Sequence, residues 1–296
     1  MLLPKFDYHA PTTLDEACSL LGRYGAKAKC LAGGTDLLVN LKKKLLAPEQ
    51  IISLNKIEGL NEASDQKEKG LSIGPLCTAA YLAGSKLIQE KGAVLGQGAG
   101  RLGSPLIRNR ATLGGNLVTA RPASDLAPPL LVLGAGLVLI SPKGERTLPL
   151  EEFLLGPGQT AIQTDEILSR IFIPPVEGPS AGAYIKLGSR KTLEISLVCV
   201  ASLLALGSNG AIQKARVALG AVGPTPLLSP AAAEVLKGVK PKDEKDPVFK
   251  EAAQAAAQDS KPISDHRGSA EYRREMVEVL THRTLISAYH RLMKNA

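Results

Sequence analysis

Two paired-glycine segments constrain this chain more than any other feature. They are Ala32-Gly33-Gly34-Thr35-Asp36 and Thr112-Leu113-Gly114-Gly115-Asn116, about eighty residues apart. A glycine pair lets the backbone enter the left-handed region and lets another group come close to it. The first pair follows a short strand expected at 27–31 and precedes a helix expected at 37–46. The second, flanked by Thr and Asn, is expected to form a nest-like turn that exposes backbone donors. Each is also compatible with a plain capping turn that holds no ligand. Two such turns in two successive subdomains point to a diphosphate-bearing ligand laid between them, without saying which one.

A third glycine group, Gly98-Ala99-Gly100-Arg101-Leu102-Gly103, has the spacing of the dinucleotide fingerprint. The fingerprint must open a helix after a strand. Here the preceding residues look helical and Ser104-Pro105 follows, so we read a glycine-loosened helix end.

Composition narrows the partners. The 296 residues include no Trp, 4 Phe and 6 Tyr, so the chain is poor in platforms for stacking bases. The net charge of +8 does not rescue a nucleic-acid reading, because the excess is dispersed through the C-terminal part. The densest run, Lys42-Lys43-Lys44, is expected on the solvated face of an amphipathic helix. Cys18, Cys30, Cys77 and Cys199 are scattered, form no Cys-x-x-Cys, and read as reduced thiols. His9, His266, His282 and His290 show no metal-ligand spacing. Met1-Leu2-Leu3-Pro4-Lys5 lacks the apolar run of a leader, and the most apolar window, 126–140, is broken by Pro128, Pro129, Gly134 and Gly136. A cytoplasmic protein with no transmembrane segment is expected.

The elements read as an α+β chain without internal repeats. A helix opens at Thr13, and strands are expected at 51–54, 71–73, 137–140 and 167–173, with one helix at about 82–101. Pro174-Pro175 marks a boundary. Beyond it, strands are expected at 183–186, 195–206 and 215–221, then helices. A surface loop is expected at 236–247. The last helix, about 268–294, is expected to bury a stripe of Tyr272, Met276, Val279, Leu280, Ile286, Tyr289 and Met293. Asp125, in Arg121-Pro122-Ala123-Ser124-Asp125-Leu126, reads either as an acceptor for a ring N–H or sugar hydroxyl, or as a helix cap.

Four blocks in order resemble the FAD-binding medium subunit of molybdenum hydroxylases, the group of xanthine and carbon monoxide dehydrogenases. They are Phe6-x-Tyr8-x-x-Pro11-Thr12-Thr13-Leu14-Asp15-Glu16-Ala17, then Leu31-Ala32-Gly33-Gly34-Thr35-Asp36-Leu37-Leu38. The third is Ile107-Arg108-Asn109-Arg110-Ala111-Thr112-Leu113-Gly114-Gly115-Asn116 followed by Pro122 to Leu126. The last is Pro262-Ile263-Ser264-Asp265-x-Arg267-Gly268-Ser269-Ala270-x-Tyr272-Arg273. The resemblance implies a two-part FAD-binding domain at 1–178, of the PCMH type, with subdomains at about 1–56 and 57–178. A small α/β part is followed by a mixed or antiparallel sheet part. It implies a C-terminal domain at 179–296 with a three-stranded antiparallel sheet and helices.

The same resemblance implies the cofactor FAD, held by Cys30, Leu31, Ala32, Gly33, Gly34, Thr35, Asp36 and Leu37 from one side and by Thr112, Leu113, Gly114, Gly115 and Asn116 from the other. Leu102, Asp125, Leu168 and Lys186 occupy further family contact positions. Gly34 and Gly115 are expected to tolerate a side chain least. No side chain is expected to act as acid, base or nucleophile, because the flavin carries the chemistry. Implied partners are a large molybdopterin subunit and a small subunit with [2Fe–2S] clusters, as a dimer of heterotrimers. Electrons would leave to NAD+, a quinone or another acceptor. The alternatives are a stand-alone FAD oxidoreductase of the same fold and a flavin-free structural subunit.

Overall fold

The computed structural model describes residues 3–190 and 193–295. Met1 and Leu2, at the head of the segment expected to lack a leader, lie outside the described residues. The first unit is a small parallel sheet with helices. Its elements are β1 (Asp7–His9), α1 (Leu14–Tyr24), β2 (Ala28–Leu31), α2 (Leu37–Lys42) and β3 (Gln50–Ser53), with strand order β1-β3-β2. Thr13 caps α1 by accepting from the Glu16 N–H at 3.2 Å, and Glu16 accepts in turn from the Thr12 N–H at 3.1 Å. Ala17, Cys18 and Leu21 then bury one face of α1 against Ile52 and Leu54.

α2 ends at Lys42, short of the expected residue 46, because Lys44 takes a φ of 57° and turns the chain. Lys42, Lys43 and Lys44 are all exposed, as a solvated run should be.

The second unit holds β4 (Ala63–Asp65), β5 (Leu71–Ile73), α3 (Ala79–Gly84), α4 (Lys86–Lys91), α5 (Ala93–Arg101), α6 (Pro105–Arg108), α7 (Leu113–Val118) and α8 (Ala127–Leu133). They are followed by β6 (Gly136–Ser141), β7 (Gly144–Pro149), α9 (Leu150–Phe153), β8 (Leu154–Gly156), β9 (Gln159–Thr160) and β10 (Ile167–Ile173). An antiparallel sheet of order β4-β5-β10-β6-β7 supports it. The single helix expected at about 82–101 is three helices. Ser85, with extended backbone, breaks it and caps α4, and Gly92 breaks it again.

The C-terminal unit places β11 (Ser180–Leu187), β12 (Val198–Leu206), β13 (Ile212–Gly220) and the two-residue β14 (Leu227–Leu228) in one antiparallel sheet. The three long strands are those expected, and β14 adds a short edge. Helices α10 (Pro230–Leu236), α11 (Pro247–Asp259) and α12 (Ala270–Asn295) cover one face. Every residue of β12 is buried. Cys199, Ala201 and Leu203 pack with the second unit, while Val198, Val200, Leu204 and Leu206 pack under the helices. A strand buried on both faces needs no polar alternation, which explains an apolar run interrupted only by Ser202.

The buried stripe of α12 differs from the expected one. Tyr272 and Met293 are exposed, while Arg273, Val277, Thr281, Thr284, Leu285 and Leu292 are buried beside Leu280 and Tyr289. The buried face carries polar residues that a search for apolar periodicity passes over. Thr284 shares a hydrogen bond with Ser202 at 2.7 Å, and Arg273 donates to the carbonyls of Leu197 and Ala221 at 2.9 and 3.2 Å.

Candidate functional site

A cleft of about 330 Å³ separates the first unit from the second, within the range of small-molecule sites, roughly 300–1,000 Å³. The chain leaving β2 and entering α2 lines it with Cys30, Ala32, Gly33, Gly34, Thr35, Asp36 and Leu37. Facing residues are Thr112, Gly114, Gly115 and Asn116, with Leu102 and Leu168 also exposed to the cleft. Two of the expected site residues sit behind this lining. The Leu31 side chain packs toward Gly34, and Leu113 is fully buried in the core.

The first glycine segment has the form of an anion cradle. Gly34 lies in the left-handed region at φ 76°. The backbone N–H groups of residues 32–37 donate to no acceptor among the described residues. Asp36 leaves the start of α2 without a side-chain cap. Unpaired donors of this kind are rare unless water or a ligand takes them. Gly33 has a further reason to be glycine, since an added Cβ would lie 1.8 Å from the carbonyl oxygen of Arg110. The Gly33 backbone therefore packs directly on that of Arg110, two residues before the second glycine segment.

The second glycine segment departs from expectation. It is the first turn of α7 and not an open nest. Its donors are used internally: Leu113 N–H to Cys77 at 2.9 Å, Gly114 N–H to Pro75 at 2.7 Å, Gly115 N–H to the Thr112 hydroxyl at 3.2 Å and Asn116 N–H to Thr112 at 3.0 Å. These glycines supply space. A Cβ on Gly114 would lie 2.5 Å from the Pro75 side chain. The Asn116 side chain accepts from the Ser124 hydroxyl, which in turn accepts from the Ala127 N–H at the start of α8 at 3.1 Å.

Asp125 and Lys186 do not line the cleft. They form a buried ion pair at 2.7 Å, with side chains 8% and 9% exposed. The Asp125 carboxylate also accepts from the Tyr184 hydroxyl at 2.7 Å and the Ser196 hydroxyl at 3.0 Å. Its acceptor capacity thus goes to three side chains of the C-terminal unit, where the sequence suggested a ligand contact or a cap. Burial, with the negative Asp125 beside it, holds the Tyr184 phenol protonated well above its ordinary range. Gly98 of the fingerprint-like segment lies inside α5, and a Cβ there would sit 2.5 Å from the Asp125 carbonyl oxygen. That glycine serves close packing of α5 on the start of α8.

Pro75, Ile107 and Glu166 also line the cleft and were not singled out by sequence. Arg146 grips Glu166 at 2.6 and 2.8 Å, and this pairing with the Gln163 N–H holds the carboxyl below its usual range. Twenty residues separate the partners, and the contact exists only once β7 and β10 share a sheet. Burial pushes the Cys30 thiol up to about 12, so it lines the cleft as an unreactive thiol. No Lys or Arg lines the cleft among the described residues. No cluster of three or more metal-ligating side chains occurs among them either.

Comparison with known proteins agrees with this architecture. Residues 4–176 match the model of the FAD binding domain in molybdopterin dehydrogenase, and residues 183–288 match that of the CO dehydrogenase flavoprotein C-terminal domain. The chain is 32% identical to the carbon monoxide dehydrogenase medium chain of Hydrogenophaga pseudoflava, over 98% of this chain and 99% of that one. It is 30% identical to a putative xanthine dehydrogenase FAD-binding subunit of Escherichia coli, over 95% of each. Among solved structures, a chain of carbon monoxide dehydrogenase from Hydrogenophaga pseudoflava superposes with a TM-score of 0.92 at 32% identity, covering 98% of this chain and 99% of that chain. A chain of quinoline 2-oxidoreductase from Pseudomonas putida 86 gives 0.91 at 28% identity, covering 99% and 100%. The chain therefore belongs to the FAD-binding medium subunits of molybdenum hydroxylases, a family of oxidoreductase components.

Proposed function

We propose that this chain is the electron-transferring flavoprotein subunit of a heteromeric molybdenum hydroxylase. In this reading it receives electrons from [2Fe–2S] clusters of a small subunit and delivers them to NAD+, a quinone or another acceptor. A large molybdopterin subunit oxidises the substrate, and the assembly is a dimer of heterotrimers. The observation that carries the reading is the row of unpaired N–H groups at residues 32–37 beside glycines that leave room for a diphosphate.

The residues of the cleft fit FAD. Its diphosphate needs donors, and residues 32–37 offer them with no cationic side chain in the lining. Its remaining surface is largely apolar, and Pro75, Leu76, Leu102, Ile107, Ile167 and Leu168 present such surface. In this proposal Gly33, Gly34, Thr35 and Asp36 hold the diphosphate. Thr112, Gly114, Gly115 and Asn116 shape the facing wall, and Leu102 and Leu168 pack against the cofactor. Leu31 and Leu113 support the two turns from behind. The bound flavin supplies exchange between one-electron and two-electron carriers. No side chain of the cleft is assigned a proton-transfer role.

Co-expression with candidate molybdopterin and iron–sulfur subunits tests the assembly. Co-purification in a fixed ratio, with flavin bleaching when substrate is added, is the expected result. A flavin-loaded chain that oxidises a substrate without partners would favour a stand-alone enzyme.

A further inference from the structure

The carboxylate of Asp125 is a buried charge near the cleft that accepts from three side chains. It belongs to the second unit, yet all three of its side-chain partners, Tyr184, Lys186 and Ser196, come from the C-terminal unit. The Lys186 ammonium also lies 3.3 Å from the carbonyl oxygen of Arg101. Arg101 immediately precedes Leu102, which lines the cleft. The ion pair therefore meets the backbone one residue before the cofactor wall, with both side chains less than a tenth exposed.

Charges there act strongly, because little solvent screens them. A cation beside the cleft favours a flavin that has gained electrons, and a bare carboxylate opposes it. Tyr184, 7% exposed, and Ser196, fully buried, each donate to one oxygen of Asp125. Their hydroxyls disperse its negative charge and leave the field of Lys186 less cancelled.

We propose that Tyr184 and Ser196 are positioning residues that fix the Asp125–Lys186 pair and thereby raise the reduction potential of the bound flavin. This rests on FAD occupying the cleft, so flavin content is measured first. An empty wild-type cleft would overturn that reading, separately from the present one.

The test is a reductive titration of flavin-loaded complexes carrying Tyr184→Phe or Ser196→Ala. Each substitution should lower the two-electron equilibrium constant for flavin reduction about tenfold, a fall of about 30 mV. Ser202→Ala is the control. It removes a buried hydroxyl from β12, in the same unit, but one paired with Thr284 and without a hydrogen bond to Asp125. It should leave the potential unchanged. Should Tyr184→Phe fail to assemble, Ser196→Ala decides alone. Flavin-loaded variants within twofold of wild type, or an equal shift in Ser202→Ala, would overturn the proposal.

Discussion

At the scale of single residues, the four motif glycines do different work. Gly33 and Gly114 are excluded from bearing a side chain by backbone or proline atoms that cannot swing away. Gly34 meets only the ends of Leu31 and Leu38, but its φ of 76° strains any other residue. Gly115 meets the Thr112 hydroxyl alone. Sequence marked Gly34 and Gly115 as the sensitive pair, and the structure shifts the steric burden to their neighbours. Gly33→Ala and Gly114→Ala should each lower stability by about 2–3 kcal/mol or more. Gly34→Ala should cost about 1–2 kcal/mol, and Thr112→Ala, which removes the cap of α7, about 1 kcal/mol. Denaturant unfolding of the four variants gives the order directly. A second consequence concerns salt. With no cationic side chain in the lining, FAD retention should change little between low and high ionic strength, as equilibrium dialysis would measure. The motif residues were legible from local spacing. Glu166 and Tyr184 were not, because their partners Arg146 and Asp125 are distant in sequence and meet only through the fold.

At the scale of elements, long strands and capped helices were legible where period and punctuation agreed. β10 ran from a period-two pattern to Pro174-Pro175, and α1 opened at a Thr with acids in its first turn. Misreadings arose where tertiary contacts overrode local pattern. α12 buries Arg273 because Asp265 sits beside it, at 2.6 Å, while the same carboxylate binds Arg267. Hydrogen bonding from Arg267, then from Arg273, holds Asp265 well below the usual carboxylate range against the opposing effect of burial. A carboxyl whose pKa falls on folding stabilises the native state fully above its unfolded value, about 3.9. That contribution is lost as pH drops through the lower folded value. Asp265→Asn should therefore be less stable than wild type near neutrality, with the gap closing below about pH 4. Thermal melts across that range would show it, and a gap independent of pH would contradict the assignment.

At the scale of the whole molecule, the hydrophobic cores do not follow the divisions of the sequence. Leu126, Leu130 and Leu131 of the second unit share one core with Tyr184, Cys199, Ala201, Leu203 and Ala218 of the C-terminal sheet. The backbone joins them again where the Ala221 N–H donates to Pro122 at 2.7 Å. A fragment of residues 179–296 would expose the apolar face of β12, so it should aggregate or bind a hydrophobic dye, whereas the intact chain should not. The Asp125 network extends this continuity, since the Lys186 ammonium lies 3.3 Å from the carbonyl oxygen of Arg101, the residue before the cleft-lining Leu102. The shortage of aromatic rings acquires a use at this scale. With no Trp and 6 Tyr, the protein contributes little ultraviolet absorbance against which a flavin is seen. The most direct measurement is the absorption spectrum of the purified chain in its complex. Stoichiometric FAD, with an unusually low ratio of ultraviolet to visible absorbance, is the predicted result. A folded, assembled chain with no flavin band would contradict the account.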